Sequence, residues 1–106
     1  MPFVSLDELE TQEPMPGWQV HFVHSETMTF AHWTIAAGTA LPEHRHPHEQ
    51  VATILEGEFE LSIDGETQVL RPGTVAIIPP NALHSGRSLT PCRIIDAFYP
   101  IREDYR

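Results

Sequence analysis

The feature that most restricts the fold of this chain is a series of short apolar segments separated by glycine, proline and asparagine. Trp18, Val20 and Phe22 alternate with more polar neighbours. Such alternation places successive side chains on opposite faces of a strand. Further strand patterns occupy residues 28–35, 43–48, 51–56, 59–63, 67–70, 75–78 and 93–99. Short strands with frequent turn signals are typical of a sandwich or barrel, so the sequence predicts an all-β fold.

Turn signals and the N-terminal residues add local detail to this prediction. Asp64-Gly65 lies between two strand patterns and is a preferred sequence for a two-residue type I′ hairpin turn. Residues 5–10 predict one helical turn, with Ser5 as N-cap and Glu8 completing a capping box. Residues 11–17 predict a loop. The length of 106 residues suits one domain, and no linker or repeat is visible, so we expect a single domain spanning 1–106.

The charge balance restricts the classes of partner. The chain has 15 Asp and Glu against 6 Lys and Arg, a formal net charge of -9. This charge repels phosphate backbones and argues against nucleic-acid binding. A small anionic ligand would also be repelled at long range. An anion site would therefore need a strong local positive centre, such as a metal ion beside an arginine.

Other features bear on the location of the protein. No apolar run approaches the roughly 18 residues that a membrane span needs, so we expect no membrane partner. The first residues show neither the basic nor the apolar region of a signal peptide. Cys92 is a single cysteine, which excludes an intrachain disulfide. Together these features favour a cytoplasmic location.

The histidine pattern is the strongest indication of chemistry. Residues 38–57 read G-x5-H-x-H-x3-Q-x6-G, and a second block running from a glycine through Pro-Pro ends at His84. His44 and His46 lie two residues apart on an extended segment, so both imidazoles leave the same face and can share a metal ion. Gln50 offers a carbonyl oxygen as a further ligand.

These two blocks resemble the two signature motifs of the cupin superfamily. The resemblance covers roughly residues 38–84. It implies a small antiparallel barrel, a double-stranded β-helix or jelly roll, with a short N-terminal extension and one divalent metal ion in its mouth. By position, the resemblance assigns His44, His46, Gln50 and His84 as the metal ligands. Gln50 stands where the family usually has a glutamate.

The glutamine has a chemical consequence. Three imidazoles and one amide oxygen are all neutral, so the ion would keep its full charge and act as a stronger Lewis acid. The alternative is that Gln50 is a spacer and that Glu49 or His48 ligates instead. The ion could be nickel, zinc, iron or manganese, because ligand preference and availability compete.

The last predicted strand carries an acid inside an apolar pattern. Asp96 and Phe98 share one face of this strand, and an acid that points into a barrel needs a partner or a purpose. The residues alone leave two interpretations open. Asp96 forms a structural ion pair with Arg102, or it takes part in catalysis.

A closer resemblance concerns the KdgF-like family of pectin-degradation proteins. The similar segments are residues 44–50, 54–59, 70–73, 78–81 and D-x-F-x3-R over 96–102. The resemblance implies an enzyme that converts 4,5-unsaturated monouronates from pectin or alginate into 5-keto-4-deoxyuronate. It places Asp96, Phe98 and Arg102 beside the metal as the catalytic residues.

Two other functions remain open from the sequence. One is a metal-dependent dioxygenase, because cupins with three histidines and one further ligand include such enzymes. The other is a non-catalytic module that uses the metal to bind a small sugar acid. We also expect a homodimer, since small cupins are often dimers.

Overall fold

A computed structural model describes residues 2–106. Ten strands and two short 3-10 helices make up the regular structure. In chain order they are a 3-10 helix at Leu6–Glu8, β1 (Gln12–Met15), β2 (Trp18–His24), β3 (Thr29–Ile35), β4 (Ala40–His44), β5 (Glu49–Glu56), β6 (Phe59–Ile63), β7 (Glu66–Leu70), β8 (Val75–Ile78), β9 (His84–Ser88), β10 (Cys92–Tyr99) and a 3-10 helix at Glu103–Tyr105. The all-β prediction is confirmed.

The strands form two antiparallel sheets. The six-stranded sheet has the order β1-β2-β3-β10-β5-β8, and the four-stranded sheet has the order β4-β9-β6-β7. Strands β3, β10 and β5 lie side by side in the middle of the larger sheet. The two sheets have no strand in common, so side chains between them hold the fold together.

The core lies between the two sheets and follows from the alternation. On β3, Ala31, Trp33 and Ile35 are buried, while the residues between them are more exposed. Trp18 packs edge-on against Trp33, with ring centroids 5.3 Å apart, and against Phe59 at 5.9 Å. Aromatic side chains of this size bury a large apolar area each, so they contribute strongly to stability.

The predicted hairpin turn is confirmed. Asp64 and Gly65 have φ values of 47° and 86°, both positive as a type I′ turn requires. Ile63 and Glu66 are paired across the two-residue loop between β6 and β7. The turn also fastens a neighbouring segment, because the Leu83 backbone N–H donates to Asp64 Oδ1 at 3.0 Å.

The N-terminal expectations are partly wrong. The helical turn is present as a 3-10 helix at Leu6–Glu8, but Ser5 makes no side-chain cap, so the capping box does not form. The segment predicted as a loop contains β1, which pairs irregularly with β2. A bulge between Gln12 and Met15 explains why no clear alternation marks this strand in the sequence.

Two strands near the histidines also differ from the prediction. Strand β4 ends at His44, so the region 43–48 is mostly a bend rather than a strand. Strand β9 was not predicted, because His84–Ser88 is short and polar and lacks apolar alternation. It forms because β4 and β6 pair with it on both sides. Tertiary pairing here overrides local sequence preference.

Across residues 2–106, no helix has the length and apolar character that crossing a bilayer requires.

Candidate active site

Three histidines converge at one end of the space between the sheets. His44 ends β4 and His84 begins β9, and the two are paired across these strands. His46 follows on the bend that leads into β5. Each imidazole offers one nitrogen, and the three nitrogens lie within 4.8 Å of one another. The geometry therefore allows one ion to contact all three.

Backbone carbonyls orient the three rings. Each Nδ1 lies against a carbonyl oxygen, at 2.8 Å for His44 to Pro42, 3.1 Å for His46 to His48 and 2.9 Å for His84 to Ala82. An Nδ1–H that donates to a carbonyl leaves the lone pair on Nε2. Such outer hydrogen bonds fix the tautomer and aim the free nitrogen at a metal.

Gln50 reaches the same point from the other sheet. Its Oε1 lies 3.1 Å from His46 Nε2. If His46 donates from Nδ1, both of these atoms are acceptors with no proton between them. Two acceptors at this separation suit two ligands of one cation. His84 Nε2 is buried with no hydrogen-bond partner among the described residues, which is a further sign that a group belongs here.

The alternatives to Gln50 fit this geometry less well. Glu49 is exposed, because neighbouring residues of β5 point to opposite faces. The ring of His48 is not among the three converging imidazoles. The donor set that fits a divalent ion is therefore His44, His46, His84 and Gln50.

Burial favours the neutral form of two of these imidazoles, His46 and His84. Burial lowers the pKa of His46 to about 4, and the positive charge of Arg102 and any proton on His84 act in the same direction. Burial also lowers the pKa of His84. Neutral imidazole is the form that binds metal, so these rings need not lose a proton at neutral pH.

The predicted catalytic residues of β10 face the histidines. Asp96 and Phe98 are both buried on the inner face of this strand. The Phe98 ring centroid lies 5.7 Å from that of His46. Burial raises the pKa of Asp96 to about 6, although the amide of Gln50, the indole of Trp33 and the charge of Arg102 act in the opposite direction. Oδ1 of this carboxyl has no hydrogen-bond partner among residues 2–106.

Arg102 lies just after β10, and its ion-pair partner is Asp104 rather than Asp96. Its Nε and Nη2 donate to the two carboxylate oxygens of Asp104, at 3.0 and 2.7 Å. Among the described residues Asp96 makes no ion pair with Arg102, so the structural ion pair between these two is not formed. Asp96 is left buried without a salt bridge.

All seven residues singled out from the sequence line one cavity of about 120 Å³. They are His44, His46, Gln50, His84, Asp96, Phe98 and Arg102. Sequence reasoning missed Trp33 and Tyr105, which also line it. Trp33 could have been found from the alternation of β3, whose inner face it shares with Ala31. Tyr105 lies in a short C-terminal turn that carries no periodic signal.

A larger groove lies elsewhere on the surface. It has a volume of about 470 Å³ and lies between β7 and β8. Its lining contains no histidine and none of the seven predicted residues. Because no predicted catalytic or metal-binding side chain lines this larger groove, the smaller cavity is the better candidate for the active site.

Comparison with known proteins shows the family of the chain. The family model described as a cupin domain matches residues 31–98. The pectin degradation protein KdgF of Dickeya dadantii (strain 3937) is 35% identical over 72 residues, which is 66% of this chain and 66% of that protein. The match thus spans slightly under two thirds of the relative.

Two solved structures are similar over the whole fold. An RmlC-like cupin from Shewanella frigidimarina NCIMB 400 has a TM-score of 0.94 and 27% identity, covering 100% of this chain and 96% of that one. KdgF from Halomonas sp. has a TM-score of 0.93 and 28% identity, covering 100% of this chain and 99% of that one. The chain therefore belongs to the cupin family, and it is similar to KdgF proteins of that family.

Proposed function

We propose that this protein is a metal-dependent enzyme that opens and tautomerises 4,5-unsaturated monouronates from pectin or alginate to 5-keto-4-deoxyuronate. The similarity to KdgF proteins, one of which is named for pectin degradation, supports this class of substrate. The observation that carries the proposal is that Asp96, Phe98 and Arg102 line the same cavity as the converging imidazoles. Metal binding alone would not need these three side chains.

The metal would be held by His44, His46, His84 and Gln50. A divalent ion on these neutral ligands would stabilise the negative charge that develops on the substrate oxygen when the ring opens. Nickel, zinc, iron and manganese all accept imidazole and amide ligands. Metal analysis of the purified protein identifies which of them it carries.

Asp96 is proposed to move the protons. Ring opening removes the proton of the anomeric hydroxyl, and tautomerisation delivers a proton to C4. A group that does both must exist in protonated and ionised forms near the working pH. A pKa of about 6 meets this condition, and it arises from burial of the carboxyl.

Arg102 and Phe98 are proposed to bind and orient the sugar. A guanidinium can hold the uronate carboxylate with two parallel hydrogen bonds. Phe98 offers a buried apolar surface against which the ring can lie. The local positive charge of Arg102 and the ion would offset the repulsion expected from a net charge of -9.

The test is an absorbance assay on the metal-loaded protein. The conjugated C=C of a 4,5-unsaturated monouronate absorbs in the ultraviolet, and turnover removes it. We expect loss of absorbance with metal and no loss above the uncatalysed rate after chelation. A metal-loaded protein that leaves the absorbance unchanged would contradict the proposal.

The same samples distinguish the other two functions. Oxygen consumption with bound iron or manganese would indicate a dioxygenase. Binding of the uronate without turnover would indicate a sugar-acid-binding module.

We also propose a homodimer formed through the outer face of the six-stranded sheet. Val75 and Ile77 of β8 are about half exposed or more, at 52% and 65%. Val51, Ile95 and Ala97 continue this face across β5 and β10. Because the centre of the face carries no charge in a chain of net charge -9, it is where two copies could meet with least repulsion. A cytoplasmic location remains a prediction of the sequence.

A further inference from the structure

The guanidinium of Arg102 contacts one carboxylate and two aromatic rings. Asp104 accepts two hydrogen bonds along the edge formed by Nε and Nη2, at 3.0 and 2.7 Å. The rings of Phe98 and Tyr105 also contact it, with their centroids 4.7 and 4.1 Å from Cζ. The side chain is only 10% exposed. Few arginines so deeply buried can change rotamer without breaking several contacts at once.

One side of this guanidinium remains open. The planar fork has a second edge, formed by Nη1 and Nη2, that can also make two parallel hydrogen bonds. None of the hydrogen bonds of residues 2–106 uses Nη1 of Arg102. Because Asp104 occupies the first edge, the second edge is the one at which a carboxylate in the cavity can accept two parallel hydrogen bonds.

We propose that Asp104 is a positioning residue that holds Arg102 so that its Nη1–Nη2 edge receives the carboxylate of the substrate. Tyr105 completes the arrangement, since its ring packs against the guanidinium beside Phe98. This inference rests on the proposed function, since it assigns the group that recognises the acid of the uronate. It makes the C-terminal turn Glu103–Tyr105 part of the specificity for sugar acids over neutral sugars.

The turn that carries Asp104 is itself fixed to the barrel. The Arg102 backbone N–H donates to Oγ1 of the fully buried Thr29 at 2.9 Å. The Thr29 hydroxyl lies 2.9 Å from Nδ1 of His24, and Nε2 of His24 lies 3.3 Å from the Tyr105 carbonyl oxygen. The Tyr105 ring stacks on Phe22 at 4.4 Å. A single tautomer of His24 satisfies this whole chain of hydrogen bonds, so Asp104 is presented from a well-anchored segment.

An opposite interpretation makes a different prediction. If Asp104 merely occupied the place of the substrate carboxylate, its removal would free Arg102 and strengthen binding of an anion. Removing any nearby acid would also strengthen anion binding by simple electrostatics. Positioning predicts the reverse, because an unclamped Arg102 would bind the carboxylate in many orientations. The sign of the effect therefore decides between the two.

The test compares Asp104→Asn with Glu103→Gln in the metal-loaded, full-length protein. Both variants remove one negative charge from the same turn, but Glu103 is exposed and pairs with Arg106 at 3.1 Å, away from the cavity. We expect Asp104→Asn to raise KM for the unsaturated monouronate roughly tenfold while kcat changes much less. Glu103→Gln should leave KM unchanged or slightly lower. Asp104→Glu, which keeps both acceptor oxygens, should recover most of the loss.

A binding experiment separates failure of this inference from failure of the proposed function. Galacturonate, a saturated uronate, and galactose, its neutral parent sugar, are titrated into the metal-loaded protein by calorimetry. Tighter binding of galacturonate that is lost in Asp104→Asn and kept in Glu103→Gln would support the positioning role even if the wild type turned over no substrate. An Asp104→Asn variant that loads the same metal and binds galacturonate equally well or better would overturn it.

Discussion

At the scale of single residues, Asp96 is the most unusual side chain of the molecule. It occupies an inner position of β10, where the neighbouring inner residues Ile94 and Phe98 are apolar. The residue is 9% exposed, and its carboxyl has no salt bridge among the described residues. Burying an unpaired carboxylate costs free energy, so the position works against stability and is best explained by a function.

The raised pKa of Asp96 gives a stability prediction with a definite sign. In metal-free protein the folded state holds the Asp96 proton more tightly than the unfolded state does, since its pKa rises from 3.8 to about 6. The bound proton therefore adds to the free energy of unfolding. This contribution is fully present below about pH 4 and is lost as the pH rises through about 6. At pH 8 the ionised carboxyl should therefore destabilise the fold by about 3 kcal/mol.

Replacement of Asp96 by Asn tests this sign. Unfolding by urea in chelator should show the variant to be about 2–3 kcal/mol more stable than wild type at pH 8. Near pH 4 the two should be nearly equal. His46 and His84 line the same cavity in both proteins, so their titration largely cancels in the difference. A variant that is less stable at both pH values would show that the carboxyl is paired in solution.

His84 provides a test of the metal site at the same scale. Replacement by Ala removes one of three converging imidazoles, and we expect metal affinity to fall by at least about 100-fold. The control is His32→Ala, because His32 lies on a half-buried position of β3 outside the cavity lining. Titration with a competing chromophoric chelator measures both. Unchanged affinity in His84→Ala would remove His84 from the ligand set.

Residues differ in how far sequence alone could assign them. His44 and His46 could be paired from their spacing, and the resemblance to the cupin motifs added His84 to the predicted ligand set. The pairing of Arg102 with Asp104 was not visible. Asp96 and Asp104 both lie close in sequence to Arg102, and only the course of the chain after β10 determines which one reaches the guanidinium.

At the scale of elements, the turn between β5 and β6 explains one of the motif glycines. Gly57 has a φ of +86°, which favours glycine, and an added Cβ would collide with the Pro91 carbonyl oxygen and approach the Thr90 hydroxyl to 2.8 Å. The two strands that this turn joins lie in different sheets. Close approach of the 90–91 backbone therefore fixes the place where the chain crosses from one sheet to the other.

A matched pair of substitutions separates backbone strain from collision. Gly38 also has a positive φ of +74°, but an added Cβ there meets nothing within 4 Å. We expect Gly38→Ala to lower the free energy of unfolding by about 1 kcal/mol from strain alone. Gly57→Ala should cost roughly 3 kcal/mol, because collision with backbone adds to strain. Equal losses in thermal unfolding would show that the 90–91 segment moves away freely.

Elements also show where local pattern ceases to be informative. The hairpin at Asp64-Gly65 was predictable, since the turn type is determined by the two residues that form it. Strand β9 was not, because His84–Ser88 owes its extended form to hydrogen bonds from β4 and β6. Strand β4 (Ala40–His44) lies a few residues before the strand predicted over 43–48. Nothing in the sequence distinguishes the bend before Gln50 from a continuing strand.

At the scale of the whole molecule, the outer face of the larger sheet determines assembly in our proposal. Ile77→Glu places a charge in the centre of this face and should convert a dimer to a monomer. Leu89→Glu is the control, because Leu89 is 39% exposed but lies in the segment between β9 and β10, not on a strand of this sheet. Light scattering after size-exclusion chromatography measures the mass. A wild-type monomer at micromolar concentration would contradict the proposed dimer.

The division of the fold into two sheets gives the metal ligands a mechanical consequence. His44 and His84 belong to the four-stranded sheet, and Gln50 belongs to the six-stranded sheet. An ion bound to all of them would act as a cross-link between two layers that share no strand. Separation of the two sheets at this end would then require a ligand to dissociate from the ion. Tighter metal binding would therefore raise the free energy needed to separate the sheets. Hydrogen exchange of the β4 and β9 amides should slow on metal loading, by a factor that increases with the ratio of the free metal concentration to its dissociation constant.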